Sequence, residues 1–281
     1  MGTYSKKLRS RIDILGGQRT GHCVICGTVG PLSADHVPPK GCIQITDTVL
    51  KSMVPPQDGS RGHLIQGGIK FRTICSTCNN TRLGALHDPH LKDFVDQIRH
   101  QMIVAPVTAY IPRIFEASFS AHHIAKAIVG HILAAHSVKE TAEFKDDIGA
   151  NSSLRQYFLA AEGNFPPDWK LFCWPNFYRE QVILRHFAIA DMGFQNVDDG
   201  ITYGHLLKFL PLGFWLVYQQ RPKVQIPAYD ITPVSAKNDE LMKVAFNVNK
   251  LYGADFPLEP TGNHAVFFST EQGSRATSKQ K

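Results

Sequence analysis

Cys23-Val24-Ile25-Cys26, then Asp35-His36-Val37-Pro38-Pro39, then Cys75-Ser76-Thr77-Cys78-Asn79-Asn80 are three short runs between Gly21 and His87, and they decide how the rest of the chain is read. Each Cys-x2-Cys knuckle turns tightly enough to bring two thiolates onto one side of a tetrahedron. Two knuckles separated by a long insert therefore have the spacing of a structural zinc site, with Cys23, Cys26, Cys75 and Cys78 as its expected ligands. A single knuckle would mean little. Two knuckles that enclose an Asp-His pair, with an Asn directly after the last Cys, mean more.

Working outward, residues 30 to 37 read as a strand that ends at Asp35 and His36, because Pro38 and Pro39 offer no amide donors and stop regular pairing. Residues 42 to 60 read as a loop-rich insert with Pro55-Pro56 and Asp58-Gly59. After it, HLIQ and IKFRTI flank Gly67-Gly68, a hairpin signal, since both glycines take positive φ at low cost. The second strand of that hairpin runs into Cys75 and would deliver the second knuckle beside the first. Asn79 to Leu86 should form a short helix. Asp88 then reads as the N-cap of another, with Pro89 at its first position and Leu91, Phe94, Val95, Ile98 and Met102 at helical spacing. Its polar face carries Lys92, Arg99 and His100, either solvated or within reach of a phosphate backbone.

On the Asp-His-Val-Pro-Pro motif and the Cys-x2-Cys-Asn segment, the chain resembles the HNH endonucleases, the ββα-metal nucleases, over roughly residues 20 to 102. The run CNNTRLGALHDPHLKDF looks like the branch whose motif ends in Cys-Asn-Asn and a Leu-Gly pair. The resemblance implies His36 as general base, Asp35 and Asn79 as ligands of a catalytic divalent metal, and the four cysteines as structural zinc ligands. One departure stands out. Many members carry a middle Asn that helps hold the catalytic His, and here the corresponding HLIQGGIKFRTIC has none. The hairpin backbone or Gln66 is left to orient the imidazole, and that position is not assigned.

Phosphodiester hydrolysis explains why these residue types belong together. Water is a poor nucleophile at neutral pH, so an unprotonated imidazole takes its proton during in-line attack. Hard oxygen ligands such as Asp35 and Asn79 suit Mg²⁺ or Mn²⁺, held with open positions for phosphate oxygens. DNA is the expected partner, with RNA as a second candidate. Lys40, Arg82 and His87, with His90 beside them, are candidate phosphate contacts, for which solvated roles are equally open.

The chain has 281 residues, enough for two domains, and its 43% hydrophobic content is enough to bury cores. The expected division is a nuclease domain over 1–105 and a C-terminal domain over 113–281, with Pro106 and Pro112 bracketing a linker. The fold class expected is α+β, an N-terminal ββα-metal finger with structural zinc followed by a mixed α/β domain. A net charge of +6 and a pI near 9.0 favour a polyanionic partner without demonstrating one. No apolar run has membrane-spanning length and no signal-peptide pattern opens the chain, so a soluble, cytoplasmic protein that avoids membranes is expected. Of six cysteines, Cys42 and Cys173 stand outside the knuckles and read as buried thiols, an arrangement that fits a reducing compartment.

In the second half, SFSAHHIAKAIVGHILAAHS reads as a helix with Ile124, Ile128, Ile132 and Leu133 inward. Its His122, His123, His131 and His136 do not share one face, and are read as surface or hydrogen-bonded core histidines, not as a metal site. KLFCW, QVILRHFAIA and LPLGFWLVY suit strands of a mixed or antiparallel sheet. The N-terminal SKKLRSR reads as a solvated tail or a phosphate-contacting arm, and the terminal GSRATSKQK, without apolar side chains beyond alanine, as lacking regular structure.

Each motif residue also has a plainer role. The cysteines alone fit a zinc ribbon that does no chemistry, Asp35 a turn or cap, His36 a zinc-region side chain and Asn79 a helix cap. Their joint placement favours the nuclease. Two other functions stay open: a non-catalytic zinc-ribbon nucleic-acid-binding protein, and a nuclease held off until its C-terminal domain meets a regulatory protein or small-molecule signal, as in the antiviral defence systems of prokaryotes built on HNH nucleases.

Overall fold

The first knuckle lies in the turn of a hairpin. β1 (Thr20–His22) pairs antiparallel with β2 (Val29–His36), and in the turn Gly27 donates to the Cys23 carbonyl with φ at 73°, a left-handed angle suited to a residue without Cβ. β5 (Lys70–Cys75) lies on the other side of β2, with Cys75 opposite Leu32 and Lys70 opposite His36, so it ends beside the first knuckle. The structure is a computed structural model, which describes residues 19–43, 48–51, 53, 63–65, 68–107, 113–136, 150–193, 200–218, 226–247, 252–259, 262–268 and 273–278. The basic run SKKLRSR lies outside them.

A single helical rod follows β5. Its first part, Thr77–His87, is wound as a π-helix and continues without interruption into α1 (Asp88–Val107). Two helices with Asp88 as cap are therefore not what forms. Asp88 has helical angles, φ −60° and ψ −35°, and its amide bonds back to the Leu83 carbonyl. Pro89, which has no amide to offer, falls where five-residue bonding gives way to four-residue bonding, and the missing donor is absorbed there. Of the expected inner face, Leu91, Phe94, Val95 and Ile98 are buried and Met102 is half-buried. The rod also runs through Pro106 instead of stopping before it.

The Gly67-Gly68 hairpin does not form either. β4 (His63–Ile65) pairs with β3 (Thr48–Lys51), whereas β5 pairs with β2, so the two strands belong to different sheets. Gly68 does take a positive φ, 83°, at the start of the connection into β5, while residues 66 and 67 lie outside the described residues. A local turn signal lost to two nonlocal ladders, each of which buries one face of its strand.

The larger sheet has nine strands. It contains β7 (Trp169–Pro175), β8 (Gln181–Asp191), β9 (Ile201–Phe209), β10 (Leu212–Tyr218), β11 (Tyr229–Asp230), β13 (His264–Phe268) and β14 (Gly273–Ser278) besides β3 and β4. The order is β11-β7-β10-β9-β8-β14-β3-β4, with β13 added on β8. β14 corrects the expectation of an unstructured C-terminal stretch. Its small residues let it lie between β8 and β3, with Ala276 fully buried and Arg275 paired to Glu180 and Asp255 at 3.6 and 3.1 Å.

β6 (Ile114–Ser120) pairs with β12 (Leu241–Asn247) in a separate ribbon. One edge of β6 is closed by α1: the Gln97 and Gln101 side-chain amides each accept from and donate to the backbone, at Ser118 and Glu116 respectively, over 2.7–3.1 Å. α2 (Ala121–Ala134) packs on β5 and on the π-helix, and α3 (Ala150–Leu159) packs on α2. The chain is thus a mixed α/β protein, mostly sheet, with three α-helices among the described residues. The largest apolar core joins Cys23, Phe71 and Phe94 to Ile128, Leu171 and Phe214, residues from both sides of the expected boundary near 113. No described helix is long and apolar enough to cross a membrane.

Candidate metal centre

The cysteine quartet is assembled by the β1–β2 turn, the end of β5 and the first turn of the π-helix. Cys23, Cys26, Cys75 and Cys78 place their sulfurs within 4.8 Å of one another, and among the described residues no other group of three or more His, Cys, Asp or Glu donors converges in this way. Cys26 and Cys75 are 3.7 Å apart, sulfur to sulfur. A tetrahedron with Zn–S bonds of about 2.3 Å has edges of roughly 3.8 Å, so this donor set fits a structural zinc ion. The hydrogen bond between Cys78 and Cys23 pushes the Cys23 thiol down to about 5 and the Cys78 thiol up, so the pair shares a proton that a bound metal would displace. Cys42 and Cys173 are buried free thiols away from this cluster.

Asp35 and His36 close β2, opposite Phe71 and Lys70 at the start of β5. Asn79, in the first turn of the π-helix, ties that helix to the strand, because its Nδ2 donates to Ser33 Oγ at 2.9 Å and to the Ala34 carbonyl at 3.1 Å. Neither bond uses Oδ1, so an amide oxygen is left beside the strand end. Asn79 thus bonds the two residues that precede Asp35 and His36 in β2, and His36 is half-buried and near Gly68, where an added Cβ would lie 3.8 Å from the imidazole Cδ2.

Asp35 is almost wholly buried, 4% exposed. Its Oδ2 accepts from Nδ1 of His131 at 2.9 Å, and Nε2 of the same ring donates to Asp88 Oδ1 at 2.9 Å. Burial pushes the Asp35 carboxyl up, against the pull of His131. For His131, burial alone would lower the imidazole, but the carboxylates on both its nitrogens outweigh it and raise it to about 10. The ring is clamped between two carboxyl groups, one on each nitrogen. Neither His131 nor Asp88 is anticipated by the motif reading. The available signal is that His131 lies seven residues after Ile124 and three after Ile128, on the inward face of α2, where a buried polar side chain needs partners.

The expected phosphate contacts are dispersed. Lys40 is exposed, in a short 3₁₀ turn after the Pro-Pro pair. Arg82 instead spends Nη1 on the Leu159 carbonyl at 2.7 Å, at the end of α3, where Lys126 binds the carbonyls of Ala160 and Ala161. His87 is buried, its Nδ1 lies 3.0 Å from Nδ1 of His123, and burial with its neighbours pushes it down to about 3, so it brings no charge to a surface. The histidines of α2 and the residues just after it are core or pair-bonded: His122 contacts Tyr157 Oη and the Ser235 carbonyl at 2.9 and 2.8 Å, and His136 bonds the Leu133 carbonyl.

Comparison with family models, with curated proteins and with solved structures finds no match.

Proposed function

We propose that this chain is a metal-dependent endonuclease of the HNH type, which hydrolyses phosphodiester bonds of DNA. The observation that carries the reading is the junction of strand and helix. β2 ends on Asp35-His36, β5 runs back along it, and the helix that follows begins at the second knuckle and is sewn to β2 through Asn79. A ββα-metal site needs this order of parts.

The zinc ligands would be Cys23, Cys26, Cys75 and Cys78, in a closed site that stabilises a region with little sheet of its own. Asp35 and Asn79 would hold Mg²⁺ or Mn²⁺, since each keeps one oxygen outside the bonds described above. When bound, such an ion supplies stabilisation of charge developing on phosphate oxygens. His36, at the strand end, would take the proton from the attacking water, a role for which its partly open setting is suited. Lys40, exposed four residues on, is the remaining candidate for a phosphate contact.

The burial of Asp35 favours one second reading, a zinc module that binds nucleic acid without cutting it. Incubating the purified full chain with plasmid DNA and with RNA, with and without Mg²⁺ or Mn²⁺, separates the two. The nuclease nicks or linearises plasmid only with metal; the binding module retards it in a gel and leaves it intact.

A further inference from the structure

We infer that His131 is a positioning residue for the catalytic metal, so that α2, from the C-terminal half of the chain, is part of the nuclease site. This rests on the nuclease reading and deepens it.

A carboxylate that ligates a metal works best when its second oxygen is tied down, because a free carboxyl rotates and loses entropy on binding. Asp35 is tied at Oδ2 by His131, which leaves Oδ1 as its other oxygen. His131 is itself fixed, for Asp88 holds the far side of the ring and the residue is fully buried. The helix that carries it cannot easily shift. Next to it, Gly130 lets α2 approach so closely that a Cβ there would lie 2.6 Å from Leu83 Cδ2 and 2.5 Å from Phe158 Cε2, and one turn on Thr73 of β5 donates to the Ala134 carbonyl. Asn79 shows the same design from the other side, with its nitrogen bound to β2 and its oxygen left over. Both candidate ligands are held through one atom by the scaffold.

The two ring nitrogens allow a test that a merely structural histidine would not pass. In His131→Asn the amide nitrogen replaces Nδ1 and keeps a donor toward Asp35. In His131→Gln it replaces Nε2, keeps the donor toward Asp88 and abandons Asp35. Binding of Mn²⁺ alone to the zinc-loaded full chain is followed by electron paramagnetic resonance, with zinc content, thermal stability and plasmid cleavage measured in parallel. His131→Gln should bind Mn²⁺ about 10- to 100-fold more weakly than the parent, and His131→Asn within about tenfold of it, the range typical of outer-shell partners. Both should keep their zinc. Equal Mn²⁺ affinity in all three proteins, or equal weakening in both variants, overturns the inference while parental cleavage leaves the nuclease reading standing. A parent that binds no Mn²⁺ and cuts nothing overturns both.

Discussion

At His87, burial first, then the nearby His123 and Lys126, push the imidazole from 6.5 down to about 3. The folded chain thus keeps this ring neutral where the unfolded chain would protonate it. Stability from this group is complete above pH 6.5 and is lost as pH falls toward 3, with a slope of up to about 1.4 kcal/mol per pH unit. His136 and His205, pushed down by burial, act in the same direction. Urea unfolding followed from pH 7 to pH 4 should show falling stability, and His87→Leu should flatten the fall; an unchanged slope in the variant contradicts the assignment. The knuckles give a second residue-scale expectation. Dialysed protein should retain about one zinc per chain, and Cys75→Ser should lose it together with much of the stability of the region around β1, β2 and β5, because metal binding here is folding energy. A zinc-free variant as stable as the parent would count against a structural zinc. The cysteines were legible because their spacing alone limits where the sulfurs can go. His131 was not: its partner Asp35 is distant in sequence, and only the burial of the α2 face hints that it needs one.

At the scale of elements, the contact between α2 and the π-helix is the one on which the proposed site would depend. Gly130 has no room for a side chain between Phe158 and Leu83, both fully buried. Gly130→Ala should cost about 1–3 kcal/mol, despite the roughly 1 kcal/mol that alanine gains over glycine in a helix. A thermal shift toward lower Tm checks this, and a stabilised variant would mean that the two helices are not so closely packed. β2 was readable from its own residues, because the two prolines that stop it are local. The partners of β4 and β5 were not, since a Gly-Gly turn is a local signal and the ladders that outcompete it are formed with β3 and β2. β14 was missed for a related reason. Its residues carry little apolar surface, and it is held by two neighbouring strands and the ion pairs of Arg275.

For the whole molecule, the two halves of the chain are built into each other. β3 and β4 lie in the large sheet beside β14, and α2 reaches back to the strand that ends in Asp35 and His36. A nuclease built this way would feel a change in the seating of α2, which gives the C-terminal half a route to the site. The most direct test of the central claim is the rate of plasmid cleavage by the full chain and by His36→Ala at a fixed Mn²⁺ concentration, with folding and zinc content verified for each. Removal of a positioned general base typically costs around 10² to 10⁴ in rate, so the account predicts metal-dependent cleavage that falls by that factor while DNA affinity changes little. Asn79→Ala should also be slow, but partly rescued by added Mn²⁺, which His36→Ala should not be. Cleavage by folded His36→Ala at the parental rate would contradict the account.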